Sequence, residues 1–377
     1  MGIFRRKKRQ RTDDPSLVGF GAETPTPPPP AAPTGPAPSP GDEFERLVDR
    51  EWARLAAVGT WWTGGERLAI AAAARLAHAG DPPSGILPRP VEEATRRVAV
   101  EAATIRGTDV ARWEMEGLNS FAYVEIVGIV ARLAAIEATA FGLGHKERLL
   151  PEPLAGEPSC RRADGAAITT GWAPTVGPAA ARSSLSAVPA EAEAMLDLQD
   201  VLYLPPADID DWQAVRDGLT RSQIELAAAR AAALDRCVHL LLGHAARLGA
   251  CIDSLGRSWT PGPVVSGVGP TGVAHGAEII AFVDSVVLRD EYEIDNARAT
   301  LDDRIGPTAT DRVAMVAGHL SMMNRAVDAI GAPVERGADQ PAQALGITIP
   351  PHLASREVRP PRPAPAGSGR SPRRSRS

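Results

Sequence analysis

Between Leu219 and Ala250 the chain carries four side chains suited to chemistry: Glu225, Cys237, His239 and His244. A carboxylate and an imidazole can relay a proton, and a thiolate can act as a nucleophile. His239 and His244 are five residues apart. On a helix they point in different directions, so they do not form a zinc pair. A thiol near a helix start gains thiolate character from the positive end of the helix dipole. Asp235 is a candidate N-cap that would divide the run into two helices and place Cys237 in the first turn of the second. Without chemistry, the same residues read as a small buried thiol, a carboxylate paired with Arg230 or Arg236, and a hydrogen-bonded core histidine.

The element that must hold these groups is helical. Apolar residues recur at three- and four-residue intervals through Ile224, Leu226, Ala227, Leu234 and Leu240 to Leu242, and Thr220 can cap the start.

Glu225, eleven intervening residues, Cys237 and His244 resemble the alkylhydroperoxidase D and carboxymuconolactone decarboxylase superfamily. Its redox branch has a Glu, then eleven residues, then Cys-x-x-Cys-x-x-x-His. Leu240 stands where the second cysteine belongs. In the family that cysteine attacks the peroxide and the earlier one resolves it. The resemblance implies thiol-dependent hydroperoxide reduction, with a hydroperoxide substrate and a thiol reductant, impaired here because the attacking sulfur is missing. It assigns Cys237, His244 and Glu225 as site residues, a peroxiredoxin-like oxidoreductase ancestry, and no cofactor or metal. Two other readings stay open. One is acid–base chemistry on a lactone, using His244 and Glu225 with Arg230 or Arg236 as the anion-binding group. The other is a non-catalytic helical scaffold that binds a partner.

Composition agrees with a helical protein. The chain has 377 residues, 44% of them apolar and only 4% aromatic, and alternating strand-like runs are scarce. Its three cysteines, Cys160, Cys237 and Cys251, are odd in number and widely spaced, which points to a reducing, cytoplasmic setting rather than a disulfide framework. The most apolar stretch, Val124 to Ile136, contains Glu125 and Arg132, so no membrane span is expected.

The net charge of −5 conceals basic ends on a more acidic body. Six basic residues stand against Asp13 and Asp14 at the front, and seven arginines from Arg356 to Arg376 against Glu357 at the back. Such tails are read as solvated and disordered, with contact to an anionic partner as the alternative. Residues 1–41 form a basic and Pro-rich tail. Residues 42–150 form a first helical repeat without a site, 151–187 a Pro/Gly-rich connector crossing the surface, 188–335 a second repeat with the motif remnant, and 336–377 a disordered basic tail. Within the body, Thr63 is read as a cap, Ser120 as another, Pro189 as a first-turn residue, and the Trp61-Trp62 pair as packing.

The halves resemble each other. LAIAAAARLA around Arg75 parallels ELAAARAAAL around Arg230, and the helix at Val124 to Phe141 parallels Ala314 to Gly331 with Gly128 and Gly318 in register. The expected fold is therefore an all-α duplicated bundle. The family resemblance, covering about Asp42 to Glu335, implies a pseudo-twofold axis, and a homo-oligomer or a pseudo-dimer within the chain is expected. Gly267, Gly269 and Gly272 match G-x-G-x-x-G, but nothing around them reads as the strand–turn–helix unit a dinucleotide site needs.

Overall fold

A computed structural model describes residues 39–354. Of the expected tails, 1–41 and 336–377, residues 1–38 and 355–377 lie outside the described residues. The described residues are mainly helical. Helices α1 (Pro40–Ala56), α2 (Gly64–His78), α3 (Arg89–Glu101), α4 (Gly107–Met115) and α5 (Ser120–Gly142) come first, with a 3-10 turn at Ala102–Thr104. Two short antiparallel hairpins follow at different places: β1 (Ala166–Ala167) with β2 (Thr175–Val176), and β3 (Val215–Arg216) with β4 (Leu219–Thr220). Helix α6 (Pro189–Leu202) lies between them. The remaining helices are α7 (Arg221–Leu234), α8 (Val238–Ser254), α9 (Gly262–Ser266), α10 (Gly276–Leu288), α11 (Ile294–Ile305), α12 (Pro307–Ile330) and α13 (Asp339–Leu345). Among the described residues no helix is long and apolar enough to cross a membrane.

Local sequence explains most helix starts. Ser39 with Asp42, and Thr63 with Glu66, close reciprocal capping boxes, so two orphan amides at each start are satisfied. Pro189 occupies the first turn of α6, where its missing N–H is not needed. Helix α5 starts one residue earlier than a Ser120 cap would place it: Asn119, not Ser120, accepts from the Phe121 and Ala122 amides.

The body is organised around α5 and α12, which pack on each other more extensively than any other pair. Glycine permits the approach. A Cβ on Gly318 would lie 2.0 Å from Thr139 Oγ1 and 2.6 Å from the Ala135 carbonyl oxygen, and one on Gly142 would lie 2.7 Å from the Ala314 methyl carbon. On this central pair, α2 and α3 pack against α5, while α7 and α10 pack against α12. Trp61 stacks on Phe121 at 5.8 Å, and Trp62 Nε1 donates to the Ala122 carbonyl at 3.0 Å, so both tryptophans hold the α1–α2 loop to α5.

Two expectations need correction. The connector 151–187 does not simply cross the surface. Its Trp172 is seated on the C-terminal end of α12, with backbone N–H donating to Ile330 and Nε1 donating to Ala329, at 3.0 and 2.7 Å. Gly331 makes room for that ring, since a Cβ there would lie 2.2 Å from it. Nor does the body end at Glu335. The Val334 amide donates to the Leu353 carbonyl, and Val334, Ala338, Ala342 and Leu353 bury a small apolar cluster with Leu242 of α8. The apolar spacing through α13 is short, which is why composition alone hid it.

Candidate active site

The second half splits where expected, although the residues play different parts. Asp235 ends α7 as its C-cap, Arg236 turns the chain at φ 59°, and Cys237 is itself the N-cap of α8. The turn lays α8 back against α7, and the two helices are close partners. This return brings Glu225 and His244 together.

Glu225 is fully buried and accepts from four groups. Its Oε1 takes the Tyr203 hydroxyl at 2.5 Å and Arg221 Nε at 2.8 Å. Its Oε2 lies 2.7 Å from His244 Nδ1 and 3.2 Å from Arg247 Nε. Arg247 Nη2 is also 3.0 Å from His244 Nδ1. A guanidinium only donates and an ionised carboxylate only accepts. We therefore assign the proton to Nδ1, which satisfies the shorter contact and leaves the Nε2 lone pair as the basic position.

Electrostatics fix the charge states. Burial would raise Glu225, but His244, Arg247 and Arg221 outweigh it and hold the carboxyl below the usual range. Burial, then the Arg247 charge, push His244 down to about 4, Glu225 opposing only in part. At neutral pH the pair is thus a carboxylate orienting a neutral imidazole. Tyr203 stays a phenol, because burial and the Glu225 charge raise it well above its ordinary value.

Two aromatic rings close the site. His319 of α12 stacks on Tyr203 at 4.9 Å with rings 7° from parallel, and Tyr203 meets His244 edge-on at 5.8 Å. His319 Nδ1 is buried without a hydrogen-bond partner. Burial and the neighbouring His244 push its pKa down to about 3. The network reaches solvent through Arg247, whose side chain is 30% exposed.

Of the sequence-derived site residues, Glu225 and His244 are paired, and Cys237 is elsewhere. Its Sγ donates to Asp328 Oδ1 of α12 at 3.3 Å. The expectation of an activated thiolate fails in magnitude rather than in location. Cys237 does stand at a helix start, and the Leu240 amide lowers its pKa, but burial and the Asp328 charge raise it well above the ordinary value. A helix start contributes ~0.3–1 kcal/mol. Desolvating a thiolate in a fully buried site outweighs that. Asp328 is pushed up to about 8, chiefly by burial, and so holds its own proton. Cys251 lies near the relay; burial and the Glu225 charge raise it to about 11.

The proposed arginine partners are also replaced. Arg230 is committed to Asp284 at 2.5 and 2.8 Å and to the Val264 and Val265 carbonyls, and Arg236 is exposed. Arg221 and Arg247 occupy the site instead. Their spacing, four before Glu225 and three after His244, was the available signal. Tyr203 and His319 come from distant segments and had none. His239 is buried with Nδ1 unpartnered and is held below its ordinary pKa by burial.

A different cluster is buried where the first half meets α6. Arg67 bonds Glu125, and Glu191 at 3.0 Å, while Arg132 bonds Glu51, and Glu191 at 2.5 Å. It contains no His or Cys and reads as an ion-pair network in which Glu125 is raised to about 7, by burial and then by Glu191. Among the described residues no group of three or more His, Cys, Asp or Glu side chains is gathered for a metal ion. Comparison of the chain with protein-family models, with curated proteins and with solved structures finds no match in any of the three.

Proposed function

We propose that the chain is an alkylhydroperoxidase D/carboxymuconolactone decarboxylase-like protein, built as a duplicated bundle, that keeps a Glu–His proton relay and has lost thiol-dependent hydroperoxide reduction. One observation carries this reading. Glu225 and His244 meet at 2.7 Å in a buried site, while the thiol at the start of the same helix turns to Asp328. The support is chemical. Peroxide reduction by a thiol needs an accessible thiolate beside the base, and here Leu240 fills that position with a buried alkyl group.

What remains is acid–base machinery. Tyr203, Arg221 and Arg247 hold the carboxylate, the carboxylate holds the imidazole, and Nε2 is the atom left to take a proton. A base of pKa about 4 is weak at neutral pH. Burial, then Arg247, depresses it, and Arg247 is the network's exposed member. A substrate carboxylate that drew Arg247 away would relieve the Arg247 share of that depression and strengthen the base. This favours, as the second reading, lactone-type acid–base chemistry on an anionic substrate.

The test is hydroperoxide consumption with a dithiol reductant. Wild type and Cys237→Ser should turn over equally slowly, near the uncatalysed rate. Wild-type turnover abolished by Cys237→Ser would overturn the proposal.

A further inference from the structure

A cavity of about 950 Å³ lies away from Glu225, among α1, α2, α5 and the C-terminal end of α10. That is within the range of small-molecule sites, ~300–1,000 Å³. Phe44, Val48 and Trp52 of α1 with Ile136 and Phe141 of α5 supply apolar lining. Most of its charged groups are already satisfied. Arg75 pairs with Glu137 at 2.6 Å and Glu147 at 3.0 Å, Arg148 with Asp49 at 2.6 Å, and His145 with Glu45 at 2.9 Å.

Arg289 differs. Its nearest carboxylate oxygen, on Glu137, is 3.7 Å away, beyond hydrogen-bond distance, and that carboxylate already serves Arg75. Among the described residues its guanidinium makes no hydrogen bond, and its other contact is with the Phe141 ring at 6.0 Å. The residue also ends α10 in the left-handed conformation, φ 55° and ψ 44°, where glycine is usual. A strained backbone thus presents an arginine, rather than no side chain, to the cavity. Burial, chiefly, pushes its pKa down, with Glu137 and Glu147 opposing and Arg325 and Arg75 adding to the effect.

We propose that this cavity binds an amphipathic organic anion, with its carboxylate on Arg289 and its apolar body along Phe44, Trp52 and Phe141. A guanidinium takes a carboxylate through two parallel hydrogen bonds, and the partly exposed Arg289, 3.7 Å from Glu137, gives none of its donors in a hydrogen bond to the described residues. An organic cation would meet that charge unfavourably, because the acids of the lining, apart from the rim residue Glu291, already have basic partners. The inference is independent of the reading of Glu225 and His244.

Titration calorimetry on the full chain tests it, with decanoate, decanol and decyltrimethylammonium as probes. Variants are checked first for an unchanged thermal midpoint. Decanoate should bind wild type at one site per chain, and bind Arg289→Gln roughly tenfold or more weakly, with Arg289→Lys between them. Decanol and decyltrimethylammonium should bind wild type at least roughly tenfold less tightly than decanoate. Ala140→Trp, which fills the cavity from α5, should abolish binding. If Arg289→Gln does not fold, the probe comparison in wild type and the Ala140→Trp result decide. Equal binding of decanoate and decanol, tighter binding of the cation, undiminished binding to Arg289→Gln or to Ala140→Trp, or no binding of decanoate would each overturn the proposal.

Discussion

His244 Nδ1 lies 2.7 Å from Glu225 Oε2, and this contact ties α8 to α7 across the turn at Arg236. The same carboxylate accepts from both Arg221 and Arg247. Glu225→Gln would leave two guanidiniums facing a neutral amide in a buried setting. We expect a loss of ~3–5 kcal/mol of stability, the effect of removing one partner from a buried ionic cluster. Urea unfolding at an unchanged slope measures it. A loss under ~1 kcal/mol would mean that water already screens the site.

Thiol labelling separates the three cysteines. Cys160 is exposed, whereas Cys237 and Cys251 are buried with raised pKa values. With Ellman's reagent the folded chain should release one equivalent, removed by Cys160→Ser, and the other two thiols should react only on unfolding. Fast reaction of Cys237 near neutral pH would restore the activated-thiolate reading.

Asp328 links stability to alkaline pH. Its folded pKa is about 8, raised mainly by burial, against an unfolded value of ~3.9. The folded state therefore holds the extra proton, and stability falls as pH rises from the unfolded value through about 8. Asp328→Asn lacks this titration. Its thermal midpoint should gain on wild type between about pH 5 and about pH 8.5. A constant difference between the two proteins across that window would show that Asp328 does not titrate as described.

The α5–α12 crossing predicts opposite effects of one substitution. Gly318→Ala drives a methyl into Thr139 and the Ala135 carbonyl, so a loss of ~2 kcal/mol or more is expected. Gly65→Ala, in the first turn of α2 with nothing within 4 Å, should be neutral or stabilise by ~0.5 kcal/mol. Paired denaturation curves check both, and similar effects at the two positions would contradict the crossing.

Local rules made much of this molecule legible. The capping residues Thr63 and Thr220, the first-turn proline of α6 and the long apolar periods of α5 and α12 all act over one or two turns, and α2, α6 and α7 start where those rules put them. Helix α4, nine residues reading GTDVARWEM, is too short for its period to stand out. In the site, Glu225 and His244 were visible as a spaced pair. Tyr203 and His319 were not, because only tertiary packing brings the end of α6 and the middle of α12 to them. Cys237 was misjudged for a related reason. The helix start is written locally, but its carboxyl neighbour Asp328 lies 91 residues away.

The central claim is a relay that persists without its sulfur, and restoring the sulfur tests it most directly. Leu240 and His244 lie one turn apart on α8, so Leu240→Cys places a thiol beside the imidazole. The measurement is hydroperoxide consumption with a dithiol reductant by wild type, Leu240→Cys, and Leu240→Cys combined with His244→Ala, at matched stability. Turnover is expected in Leu240→Cys alone, and little in wild type or the double variant. An inert Leu240→Cys protein, or one indifferent to His244→Ala, would contradict the claim.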